Sequence, residues 1–193
     1  MINKILIING HPDNKSYNYA LSKKYAKAAE NTGAEVNFIN ITELNFVPFF
    51  KGFDKELNLE DDLIKAQNRI KEAKHLVFIF PIWWATMPAL LKSFIERTFV
   101  PGFAGQSKNK REFRQWANFL AGKTARIIIT MDSPPLYYIF KVKNPAYNAL
   151  KDILNFCGIK SIKKTYIGPV KVANDEQLQR WLRKVERLGK KHK

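Results

Sequence analysis

A chain of 193 residues, 46% apolar and 26% charged, is long enough for one α/β domain with a full hydrophobic core and is unlike a disordered polymer. No apolar run approaches the roughly 18–20 residues that span a bilayer, MINKILIING lacks the long apolar segment and cleavage site of a secretory leader, and one cysteine, Cys157, excludes an intrachain disulfide framework, so the expected location is cytoplasmic. The formal charge of +16 raises nucleic-acid or membrane-surface binding, but the lysines are scattered over every predicted helix and concentrate only at 108–114 (KNKREFR) and 187–193 (RLGKKHK), with no RNP, helix-turn-helix or zinc-finger spacing.

Scattered lysines read as a solvated surface whose potential also draws anionic ligands. The expectation is therefore no nucleic acid, no integral membrane segment and no metal, with peripheral membrane contact left open.

Along the chain, apolar runs alternate with amphipathic ones. Residues 5–8 form a short strand ending at Asn9-Gly10. Ser16 caps a helix carrying Tyr17, Leu21, Tyr25 and Ala28 on its apolar side, and Gly33 stops it. Residues 35–41 are a second strand, and the aromatic stretch FVPFFKGFDKE (46–56) is an irregular surface loop. Asn58 caps a helix with Leu63, Ala66 and Ile70 on one face. Residues 75–80 are a third strand, apolar on both faces as central parallel strands are. Thr86 caps the next helix, whose first turn accepts Pro88.

Residues 103–122 are a polar insertion with a weak helical pattern over 112–120. A fourth strand at 124–130, a helix over 145–157 ended by Gly158 and a fifth strand at 161–167 follow. A closing helix over 175–188 turns Leu178, Leu182 and Val185 inward. Five strands alternating with helices specify an α/β three-layer sandwich with a parallel sheet. No linker or repeat divides it, so residues 1–193 form one domain.

Two loops stand out, both at carboxyl ends of strands. The first, NGHPDNKSYNYAL (9–21), occupies the place of a phosphate cradle, where free amides and a helix dipole favour an anion. It has neither G-x-G-x-x-G nor GK[ST], so a permanently held NAD is not expected. His11 and Ser16 are its candidates for phosphate, although capping alone also accounts for Ser16 and a bond to nearby backbone for His11. The second, FPIWWAT (80–86), puts Trp83 and Trp84 at the end of a buried strand. A flat conjugated ring suits it: the indoles offer rigid apolar faces and the amides of residues 83–85 offer donors to a polar ring edge. The alternative is that the tryptophans fill core or a subunit interface, and neighbours in a turn make that the better reading for one of the two rings.

The stretches HPDNKSYNYAL, FPIWWATMPALLKSFIERTFVPGFA, LAGKTARIIITMDSPPLYY, NFCGI and GPVK, in order over residues 5–171, resemble the flavodoxin-like NAD(P)H:quinone oxidoreductases (the Flavodoxin_2 group, including modulator-of-drug-activity enzymes and ancillary reductases of potassium efflux systems). The resemblance implies sheet order 2-1-3-4-5 with a ligand at the switch point between the first and third strands. It implies a homodimer with flavin (FMN or FAD) at the subunit interface, and two-electron reduction of quinones or similar acceptors by NAD(P)H in a ping-pong cycle.

Matched by position, His11, Ser16, Tyr17 and Asn18 hold flavin phosphate and ribityl, while Pro81, Ile82, Trp83, Trp84 and Ala85 line the isoalloxazine. Thr130, Met131, Asp132 and Ser133 form the third flavin loop, where Asp132-Ser133 replaces a glycine pair. Tyr138 falls at the tyrosine that helps stabilise reduced flavin, but Asn144 stands where those enzymes carry a histidine, so a His–Tyr relay is not implied. Cys157 reads as an inert buried thiol, and Glu96 and Arg97 as structural residues that pair locally or across a dimer. The rival readings are a flavodoxin-type electron carrier, against which the basic charge and the 103–122 insertion weigh, and a redox-sensing regulatory subunit of a membrane transporter.

Overall fold

The computed structural model describes residues 3–52, 58–103, 105–107 and 116–192. Its main sheet is parallel, with order β2 (Glu35–Asn40), β1 (Lys4–Asn9), β3 (His75–Pro81), β6 (Thr124–Thr130), β7 (Ser161–Ile167). Counting only these strands, the order is 2-1-3-4-5, as expected from the sequence. The fold is flavodoxin-like.

Side-chain alternation divides each central strand between two cores. Leu6, Ile8, Phe78, Phe80, Ile127 and Ile129 face α2 (Asp61–Glu72), α3 (Ala89–Thr98) and α5 (Pro145–Phe156). Ile5, Ile7, Val77, Ile79 and Ile128 face α1 (Tyr17–Glu30) and α6 (Asp175–Lys190). Val185 is the buried anchor of α6, while Leu182 and Leu188 pack partly buried beside it. Among the described residues, no helix is long and apolar enough to cross a membrane.

Several boundaries differ from the sequence reading, each for a tertiary reason. Strand β2 stops at Asn40, because a 3₁₀ turn over Ile41–Glu43 begins there and Asn40 Nδ2 donates to Glu43 Oε1 at 2.9 Å. Glu60, not Asn58, occupies the cap position of α2. Its carboxylate is recruited elsewhere, accepting from Val47 N–H (2.9 Å) and pairing with Arg97 (2.6 Å). Arg97 thus pairs locally, within the chain, and Glu96 does so with Lys92. Helix α3 begins at Ala89 with Pro88 in the cap position, since Thr86 is used in a turn with Trp83.

In the insertion β4 (Gly105–Ser107) pairs antiparallel with β5 (Trp116–Asn118), so residues 116–118 of the weak helical pattern over 112–120 are strand. Residues 108–115, with the whole KNKREFR cluster, lie outside the described residues. A short helix not foreseen, α4 (Pro135–Phe140), follows β6, and α6 runs two residues past the expected end at 188.

At the amino end of β3, His75 is buried, with Nδ1 2.7 Å from Thr124 Oγ1. Burial lowers its pKa to about 4, and Arg126, Lys163 and His192 push in the same direction. The unfolded chain therefore takes up this proton first, near pH 6.5. The stability due to neutral His75 is complete above that pH and is lost as pH falls toward about 4. Urea unfolding of wild type at pH 7 and pH 4.5 should differ by about 2–3 kcal/mol from this group. His75→Asn should remove most of that difference, and an unchanged pH dependence would disprove the assignment.

Candidate active site

The site is built where β1, β3 and β6 end. Beyond β1 the chain crosses close to α3. Gly10 donates its N–H to Ile79 O at 2.8 Å, and a Cβ there would lie 2.7 Å from Leu91 Cδ2 and 3.0 Å from Phe80 Cβ. This lone glycine serves a close crossing, not a dinucleotide fingerprint.

The loop then folds on itself. Asp13 N–H donates to His11 Nδ1 (2.9 Å), and Lys15 N–H donates to Asp13 Oδ1 (2.8 Å). With Nδ1 accepting, neutral His11 carries its proton on Nε2, and partial burial lowers its pKa. The ring meets Trp83 edge-on, with centroids 5.5 Å apart. Ser16 caps α1 as expected, its Oγ accepting from Tyr19 N–H at 3.2 Å. Tyr17 presents its ring to the crevice, but its hydroxyl donates to Leu178 O on α6 (2.7 Å). Burial raises that hydroxyl's pKa to about 12.

After β3, residues 83–86 form a tight turn. Trp83 N–H donates to Thr86 O (2.9 Å) and Thr86 N–H to Trp83 O (3.0 Å). Both central residues are left-handed, Trp84 with φ 47° and Ala85 with φ 64°. Such a conformation is costly for residues with a Cβ and concentrates at functional sites. Its consequence is that the Trp84 and Ala85 amides find no acceptor among the described residues. Of the three donors expected from the sequence, Trp83 N–H is already engaged. Neither indole fills the core, since Trp83 is 44% and Trp84 99% exposed. A sharp turn with the chain at positive φ throws the second ring outward.

The third wall follows β6. Thr130 Oγ1 donates to Asn18 Oδ1 (2.9 Å), tying this loop to the start of α1, and Thr130 O accepts from Ile82 N–H (2.8 Å). Asn18 is buried, so its amide orientation is set by that bond. Between the three loops lies an open crevice of about 160 Å³. His11, Tyr17 and Asn18 line it from the first loop, Pro81, Ile82 and Trp83 from the second, and Thr130, Met131 and Asp132 from the third.

Ser16, Trp84, Ala85 and Ser133 border these loops without lining the crevice. Tyr138 stands behind it: its side chain is buried, its hydroxyl donates to Ala85 O (2.9 Å) and accepts from Ala146 N–H (3.0 Å). The hydroxyl's one proton and one of its two acceptor sites are therefore engaged inside the protein.

The family model Flavodoxin_2, described as a flavodoxin-like fold, matches residues 3–188. The chain belongs to that family. An uncharacterised NAD(P)H oxidoreductase of Haemophilus influenzae is 26% identical over 180 residues, covering 89% of this chain and 86% of its own. The protein Smu.1420 of Streptococcus mutans superposes with a TM-score of 0.81 at 30% identity, covering 97% of this chain and 99% of that one. An FMN-dependent NADH-azoreductase of Bacillus anthracis, solved with FMN, shares the fold with a TM-score of 0.74 at 18% identity, covering 99% of each chain.

In this Flavodoxin_2 chain one lining residue went unforeseen, Val170. It arrives from the loop after β7. Val170 N–H donates to Met131 O (2.9 Å), Met131 N–H to Ile167 O (2.9 Å), and Lys171 N–H to Asp132 Oδ1 (3.0 Å). The GPVK motif carried the signal, but nothing in its composition says that it buttresses a loop 38 residues earlier. Cys157 is buried and burial raises its thiol pKa to about 12, which leaves it unreactive.

Proposed function

We propose that this chain is a flavin-dependent NAD(P)H oxidoreductase that reduces quinones or related acceptors by two-electron transfer, and that residues 1–193 act as one flavin-binding domain. The observation that carries the reading is the strained 83–86 turn, which leaves two adjacent amides unpaired beside an apolar wall. Those donors suit the polar edge of an isoalloxazine better than any wholly apolar ligand. Flavin, when bound, supplies the hydride-accepting and hydride-donating centre.

This chain's own residues do the rest. The Trp84 and Ala85 amides hold the polar ring edge, and Ile82 and Trp83 exclude water from one side. The first turn of α1, with free amides after Ser16, and the Nε2–H of neutral His11 hold phosphate and ribityl, while Asn18 and Thr130 fix the distance between the first and third loops. Tyr138 is a positioning residue for the turn. Nicotinamide and acceptor would occupy the open crevice in succession, a ping-pong order. The flavin of this reading is FMN or FAD, and the reductant NADH or NADPH.

The crevice is smaller than the ~300 Å³ lower bound of most small-molecule sites. The turn after β3 and helix α4 also expose apolar groups: Trp84 (99%), Leu136 (67%), Tyr137 (56%) and Phe140 (66%). A second copy covering them would complete the site, so we propose a homodimer in the cytoplasm. The test is the visible spectrum of protein reconstituted with FMN or FAD, followed by NADPH consumption with menadione. Colourless protein disproves the reading. Yellow protein that does not turn over NADPH or NADH makes it an electron carrier instead.

A further inference from the structure

Two arginines are buried among the described residues, and only one of them has a counterion there. Arg97 pairs with Glu60 at 2.6 Å. Arg126, 6% exposed at the third position of β6, donates from Nη1 to Thr165 Oγ1 on β7 (2.7 Å), and its Nε has no partner among the described residues. The surroundings deepen the imbalance. Lys163 on β7 lies directly across the ladder from Arg126, a like-charge register pair. His75, on the same sheet face, is 4% exposed and its Nε2 also lacks a partner. Lys184 and Arg187 approach from α6, and His192 from just beyond it. The Tyr25 hydroxyl of α1 is the one non-basic titratable group in the cluster. Among the described residues, no carboxylate pairs with any of these cations.

A buried guanidinium without an anion is strongly unfavourable, and its planar fork of donors matches an oxyanion. We propose that the Arg126–His75 face of β6 and β3, at the amino end of the sheet and away from the crevice, binds a tetrahedral oxyanion of the phosphate class. Arg126 is the buried anchor, and His75 Nε2 supplies a second donor when Nδ1 accepts from Thr124. Lys163 and Lys184, both exposed, form the entrance. Two sources offer this chemistry, free inorganic phosphate and the phosphate of a nucleotide.

Thermal unfolding of the full chain, with whatever cofactor it retains, separates the outcomes. Inorganic phosphate is compared with chloride at equal ionic strength and pH 7.5, and AMP is used in a parallel arm. At about a hundredfold excess over Kd, phosphate should raise the wild-type Tm by about 5 °C or more. The Lys163→Gln/Lys184→Gln variant should keep less than half of that gain. Arg126→Met should lose it altogether while being at least as stable as wild type in chloride. If that variant does not fold, the lysine pair decides alone. A larger variant-sensitive gain with AMP identifies the nucleotide as the source, and an equal or smaller one identifies free phosphate. Equal gains in wild type and the lysine variant would overturn the proposal, because phosphate would then be acting elsewhere, for instance beside Ser16.

Discussion

Gly168→Ala is expected to lower flavin affinity at least tenfold and to destabilise the protein by about 2–4 kcal/mol, although Gly168 does not line the crevice. A Cβ at that position would sit 2.5 Å from Met131 O, 2.8 Å from Met131 Cγ and 3.1 Å from Ser133 O. Two of these three atoms belong to backbone and cannot rotate away. The loop that must yield is the third wall of the crevice, and Met131 O is the acceptor for Val170 N–H. Moving it breaks the strut between the β6 and β7 loops and drags Asp132, which holds Lys171 N–H, along with it. Flavin fluorescence titration and urea unfolding measure the two effects. Lys171→Ala is the control: its side chain is exposed and its N–H survives, so both quantities should stay near wild type. Wild-type flavin affinity in Gly168→Ala would mean that the third loop does not bear on the ligand.

The strands were legible because they depend on runs of apolar residues, and a run such as HLVFIFP has no other way to be buried; the sheet order was legible only through the family resemblance. The caps were not. Asn58 and Thr86 are good cap residues by type, yet Glu60 is fixed by Arg97 and Val47, and Thr86 by the turn with Trp83. Those partners lie elsewhere in space, where no local pattern reports them. The hairpin pairing Gly105–Ser107 with Trp116–Asn118 is likewise a long-range event written over a weak local helical pattern.

At the site, position in a motif identified the three loops correctly as neighbours. It did not give direction. Whether an indole points in or out, whether an amide is free, and whether a hydroxyl faces a ligand or a carbonyl are set by φ and by packing. The result is that Trp83 N–H is spent, Trp84 faces solvent and Tyr138 turns inward. Val170 came to the crevice unannounced for the same reason.

Tyr138→Phe tests the role of that inward-facing hydroxyl. Its removal leaves Ala85 C=O and the buried Ala146 N–H without partners, which should cost about 1–3 kcal/mol. Ala85 is one of the two left-handed residues of the tryptophan turn, so the loss falls on the segment whose conformation is costliest to hold. The freed turn should relax toward ordinary φ values, withdrawing the amides of Trp84 and Ala85 from their common side. Flavin should then bind roughly tenfold more weakly, released faster but captured at a similar rate.

A positioning role and a catalytic one separate cleanly in this variant. If the hydroxyl only holds the turn, kcat measured at saturating flavin stays within about a factor of three of wild type while flavin Kd rises. A hydroxyl that exchanged a proton with the reacting centre would show the reverse, kcat falling by 10²-fold or more with Kd unchanged. The geometry favours the first outcome: burial raises the pKa of Tyr138, and its proton is already committed to Ala85 O at 2.9 Å. A large kcat defect at wild-type flavin affinity would return Tyr138 to the reaction itself.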